Sequence, residues 1–137
     1  MDVEVNFIAM LVAVAASMVI GGIWYSPLLF ADVWLKETGL ASVSKEKMKA
    51  AAGKAMLITF LSEIVKSYVL TQVAAYAGST TLLEGATLGF WLWLGFVATV
   101  IGTLYAFGQK SLKLFFIDAG HELIAFVVMG AIIASMT

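Results

Sequence analysis

The 137-residue chain has no cysteine and no arginine, one proline and one histidine, and only 12% of its residues are charged. Without cysteine there is no disulfide framework and no thiolate metal site. Its only bases are lysines, its formal net charge is −1, and "KEKMK" is its one basic cluster. That is not the electrostatic footprint of a nucleic-acid binder, so no nucleic acid is expected as partner. Also absent are a glycine-rich phosphate loop and a strand–turn–helix nucleophile elbow. An enzyme of the soluble type is not expected, nor is a cofactor.

Apolar residues are plentiful instead. They make up 62% of the chain and give a mean hydropathy of +1.01. Soluble domains are typically ~45–50% apolar and ~25% charged. One domain, integral to a membrane and in contact with lipid, is the expectation. The N-terminal run has the small-residue stretch "AVA" at Ala13 to Ala15 but continues to Phe30, and only Asp2 and Glu4 precede it as charges. It lacks the positive start and short core of a signal peptide and reads as a retained span.

A span needs ~20 mostly apolar residues. Four segments qualify: residues 5–25, 55–76, 82–107 and 112–136. They are continuous runs, not the alternating ten-residue segments of a barrel. Backbone groups in lipid must pair internally, which makes the spans helices and the fold all-α, a four-helix transmembrane bundle. Thr81 and Glu84 form a T-x-x-E capping box opening the third span. Pro27 ends or bends the first.

Seven of the eight lysines fall in two connections: Lys36, Lys45, Lys47, Lys49 and Lys54 after the first span, Lys110 and Lys113 before the last. The positive-inside rule places both connections in the cytoplasm and both termini outside a cell inner (plasma) membrane. Trp24, Tyr25 and Tyr105 then sit near the cytoplasmic interface, and Tyr76 near the outer one. Within residues 28–40, Leu29, Phe30, Val33 and Trp34 share one helical face. Asp32 and Lys36, on the other, are in the favourable acid-first i, i+4 order. A short amphipathic helix lying at the membrane surface is expected there, with an ordinary ordered loop as the alternative.

Ala9, Ala13, Ser17 and Gly21 recur every four residues along the first span, as do Gly85 with Gly89 in the third and Gly130 with Ala134 in the fourth. Small residues at this spacing let helices approach closely in lipid, within one chain or between copies. Four short helices bury little within one chain, so a homo-oligomer is expected, with a dimer the commonest symmetry. "VIGGIWY" at residues 19–25 also matches "VIGTLYA" at 100–106, and "FLSEIVKSYVL" at 60–70 aligns with "FFIDAGHELIA" at 115–125. These matches raise the hypothesis of two parallel helical hairpins related by an axis along the membrane normal.

The aligned segments carry the ionisable residues. At 1.5 Å per residue, Glu63 lies about 14 Å and Lys66 about 18 Å from Lys54. Asp118, His121 and Glu122 lie about 8, 12 and 14 Å from Lys113. Glu63, His121 and Glu122 therefore share a depth and can meet. Candidate pairs are Glu63 with Lys66 and Asp118 with His121 along the helices, and Glu63 with His121 and Lys66 with Glu122 across them. Ionisable residues at such depth cost at least ~2.5–3.5 kcal/mol to insert and mark a functional hypothesis.

Three readings compete. The cluster clamps helices or a subunit interface, it lines a passage for protons, ions or a small solute, or it forms a metal or catalytic centre. Asp118-x-x-His121 has the i, i+3 spacing of a di-iron bundle motif, but those bundles use two such motifs, so no metal is expected. Trp91 and Trp93, two apart in "GFWLWLGF", point to different helix faces and read as aromatic filling, with ligand stacking as the minor alternative.

"GGIWYSPLLFADVW", "TTLLEGATLGFWLWLGF" and "KLFFIDAGHELIAFVVMGAI" together resemble the bacterial membrane proteins grouped as domain of unknown function 1761. The resemblance covers nearly the whole chain and implies a small four-helix inner-membrane protein. It brings no activity, cofactor or catalytic residue. The chain departs from the family pattern at Asp118, often Asn there, and at His121 and Glu122, where the pattern has a Tyr-His or related pair. The place of the polarity is therefore more transferable than its charges. The expectation is a transport or channel-like membrane protein that uses Glu63, Lys66, Asp118, His121 and Glu122. The alternative is a non-enzymatic structural or partner-binding protein in which they only stabilise packing.

Overall fold

Polar residues at the helix starts fix where the elements begin. In the computed structural model, which describes residues 3–137, Asn6, Ser44, Thr81 and Ser111 each accept a hydrogen bond from the first turn that follows. The helices are α1 (Phe7–Trp24), α2 (Ala31–Thr38), α3 (Lys45–Tyr76), α4 (Leu82–Trp93), α5 (Thr99–Phe107) and α6 (Leu112–Ser135). A three-residue 3₁₀ turn, Leu40–Ser42, follows α2, and one wide π turn, Leu94–Ala98, joins α4 to α5 in a continuous rod. No strand occurs among the described residues. Four helices are long and apolar enough to cross a membrane: Phe7–Trp24, Lys45–Tyr76, Leu82–Phe107 and Leu112–Ser135.

The capping box is complete. Thr81 accepts from the Glu84 amide at 3.2 Å, and Glu84 Oε2 accepts from the Thr81 amide at 3.1 Å. One boundary differs from expectation: α3 starts at Lys45, ten residues before the expected span. "KEKMKAAAGKAM" is rich in Ala, Lys and Met, strong helix formers that a hydropathy window passes over. The segment after α1 is helical over Ala31–Thr38, ending at Gly39 in the left-handed conformation that glycine favours (φ 76°). Leu29 and Val33 stay exposed. Phe30 and Trp34 turn inward, 4.9 Å from the Trp24 ring and 6.0 Å from the Tyr25 ring. Asp32 and Lys36 form no ion pair in the structure.

Helix α6 is the hub, packed by α1, α3 and α4. Asn6 Nδ2 donates to Met136 O at 2.8 Å and Trp24 Nε1 to Ile117 O at 2.9 Å, which pins α1 antiparallel along it. Helix α4 packs closest, because a Cβ on Gly85 or Gly130 would collide with the other's carbonyl oxygen and one on Gly89 with that of Phe126. Ala13, Leu70, Ala74, Met129 and Ile133 form the dry core. Ala9, Ala13, Ser17, Gly85 and Gly89 are all buried within this single chain. Their stripes therefore no longer argue for contact between copies. Nor does the packing follow a strict two-fold axis through the sequence repeat, which requires α3 to meet α4 as α1 meets α6. Helix α1 lies along α6, whereas α3 and α4 hardly touch.

Candidate functional site

Beyond the dry core, toward the lysine-rich end, the interior turns polar. Lys66 on α3 donates to Glu63 Oε1, one turn back, at 2.8 Å and to Glu122 Oε2 on α6 at 2.9 Å. The bridge uses one pair along the helix and one across it, as their shared depth allows. Side chains this enclosed keep their charge only with such partners. His121 Nδ1 stands 3.5 Å from Glu122 Oε1, which orients the ring.

Asp118 belongs to a different set. It is not paired with His121, although the two are a turn apart. Tyr25 Oη donates to its Oδ1 at 2.6 Å, and Tyr105 Oη donates to its Oδ2. Both carboxylate oxygens are thus held by phenols at the ends of α1 and α5. Helix geometry puts i and i+3 on one face, but the phenols reach Asp118 first and leave His121 free to turn elsewhere. Trp24 lies over Gly120, where a Cβ would meet Cζ2 at 3.3 Å. Trp24 and Tyr25 are therefore docked on α6 rather than standing free at an interface. Trp34 packs on the site edge-on to the Tyr25 ring. Trp93 is likewise fixed, its Nε1 donating to Ala119 O at 2.8 Å, whereas Trp91 is exposed.

A cavity of about 460 Å³ opens between α1, α3 and α6. Ser17, Gly21 and Tyr25 line it from α1, Glu63 from α3, and His121 and Glu122 from α6. Exposed Met56 and Thr59 stand at its rim, on the part of α3 nearest Lys54. Three buried polar atoms on its lining side chains have no partner: Ser17 Oγ, Glu63 Oε2 and His121 Nε2. Their residues are 2%, 5% and 9% exposed. Gly21 leaves the space in front of the ring, since a Cβ there would stand 3.2 Å from His121 Nε2.

Sequence reasoning found Glu63, His121 and Glu122 but took Ser17 for packing and Tyr25 and Tyr105 for interfacial anchors. The usable signal was that Tyr25 ends the matched segment "VIGGIWY" and Tyr105 stands one residue from the end of "VIGTLYA". Among the described residues no three His, Asp or Glu side chains converge where they could hold a metal ion.

No curated protein and no solved structure matches the chain. A family model described as protein of unknown function (DUF1761) matches residues 8–134, from the first turn of α1 to the last turn of α6. The match takes in every helix that builds the cavity, and the chain belongs to that family.

Proposed function

We propose that this chain is a multi-pass plasma-membrane protein that moves a small polar solute, ion or proton by way of the cavity between α1, α3 and α6. One observation carries the reading. Ser17 Oγ, Glu63 Oε2 and His121 Nε2, from three different helices, are buried without partners on side chains that line the same cavity. Each such group costs about 1–3 kcal/mol when left unmade. A cluster that only clamps helices turns these atoms toward one another, whereas a cluster that receives a guest leaves them unpaired until it arrives. The positive-inside pattern supports a cavity mouth on the cytoplasmic side. The dry core of Ala13, Leu70, Ala74, Met129 and Ile133 stands between the cavity and the other face. Passage therefore requires the bundle to open there, as in a transporter that alternates, not a standing pore.

The second reading, a non-enzymatic structural or partner-binding protein, rests on Lys66, which pairs with Glu63 on its own helix and ties α3 to α6 through Glu122. Purified protein in liposomes separates the two. The transport reading expects flux of protons, ions or a small solute that Glu63→Gln or His121→Ala abolishes while the fold is retained. If the parent protein shows no flux and these variants unfold, the structural reading stands instead.

A further inference from the structure

The unpartnered atoms also specify what the guest offers. Glu63 Oε2 is the free oxygen of a side chain whose Oε1 takes the Lys66 ammonium, and as a carboxylate oxygen it accepts. Nδ1 of His121 lies toward Glu122 Oε1, at 3.5 Å, and a ring proton placed there leaves Nε2 a lone pair to accept with. The Ser17 hydroxyl can accept as well as donate. The cavity thus presents three acceptors from three helices. With His121 neutral, the carboxylates of Glu63 and Glu122 share one cation, Lys66, which leaves one negative charge in excess beside the cavity. The rest of the lining includes Met18, Met56, Gly21 and Gly22, which offer no hydrogen bond from their side chains.

We propose that the cavity is a binding site for a primary alkylammonium ion. Its three N–H donors satisfy Ser17 Oγ, Glu63 Oε2 and His121 Nε2, and its short alkyl chain lies along Met18 and Met56. The assignment rests on the transport reading above and names its substrate class. One monovalent cation restores charge balance, and its donors meet the three open acceptors. Water alone is the rival occupant, and a volume of about 460 Å³ holds on the order of fifteen molecules at liquid density.

The test uses the full chain in lipid nanodiscs, titrated calorimetrically with n-butylammonium, tetramethylammonium, butyrate and glycerol. Butylammonium is expected to bind. Tetramethylammonium, a cation without N–H donors, and butyrate, of similar length and opposite charge, are expected not to. Glu63→Gln should weaken butylammonium binding about tenfold, the loss of one charge-assisted hydrogen bond. Gly21→Ala leaves every charge in place but narrows the space at His121 Nε2, and should weaken binding with the unfolding temperature unchanged. It decides the matter if Glu63→Gln fails to fold. Binding of butyrate, glycerol or tetramethylammonium as tight as that of butylammonium overturns the substrate class and leaves the transport reading intact. Equal binding by Gly21→Ala and the parent also overturns it. If nothing binds, the substrate class fails, and if liposomes also show no flux, the transport reading fails with it.

Discussion

Lys66 shows how far residue-level reading reaches. The acid-x-x-base spacing at Glu63 and Lys66 is legible because i and i+3 lie on one helix face. The same spacing at Asp118 and His121 misleads, because a tertiary partner decides which way each side chain turns. Nothing in the linear order brings Tyr25 and Tyr105 to one carboxylate, 93 and 13 residues away. The Lys66 bridge makes a quantitative prediction. Lys66→Met leaves Glu63 and Glu122 enclosed without their cation, and should destabilise the bundle by about 3 kcal/mol or more. Adding Glu122→Gln removes one orphaned charge and should recover part of that loss. A double-mutant cycle from thermal unfolding in detergent measures the coupling. Additive losses would show that the bridge contributes nothing as a unit.

At the scale of elements, apolar runs located all four long helices, since lipid-length hydropathy and helix length are the same constraint. The start of α3 escaped because intrinsic propensity, not hydropathy, extends it over the lysine-rich segment. Small residues every fourth position announced close crossings without naming the helices that cross. The structure supplies the partners: Gly85 against Gly130, and Gly89 against Phe126. A side chain at Gly130 must enter the backbone of α4, with no flexible group to yield. Gly130→Val should therefore cost more than the about 1–3 kcal/mol usual for overpacking, and separate α4 from α6. Gly95 is the comparison, because a Cβ there meets nothing within 4 Å. Gly95→Ala should leave unfolding close to that of the parent. Equal melting of Gly130→Val and the parent would mean that the crossing is looser than its geometry indicates.

For the whole molecule, the direction of the proposed transport depends on which side the cavity faces. The ends of α1 and α5 and the starts of α3 and α6 come together at the polar end, and Lys54, Lys110 and Lys113 lie beside them. The turn from α3 to α4 at the far end carries no lysine. Lysines flanking short loops resist translocation, so the polar end is predicted to be cytoplasmic. The absence of native cysteine makes this directly testable. Ser42→Cys, in the 3₁₀ turn after α2, and Thr80→Cys, in the turn before α4, each give a single exposed thiol. A membrane-impermeant maleimide should label Thr80→Cys in intact cells and Ser42→Cys only after the membrane is opened. The reverse pattern would turn the cavity mouth outward. Alkylammonium would then be drawn from outside the cell, with the same three acceptors receiving it. Orientation and ligand chemistry are thus separable, one set by lysines outside the bundle and the other by unpaired atoms within it.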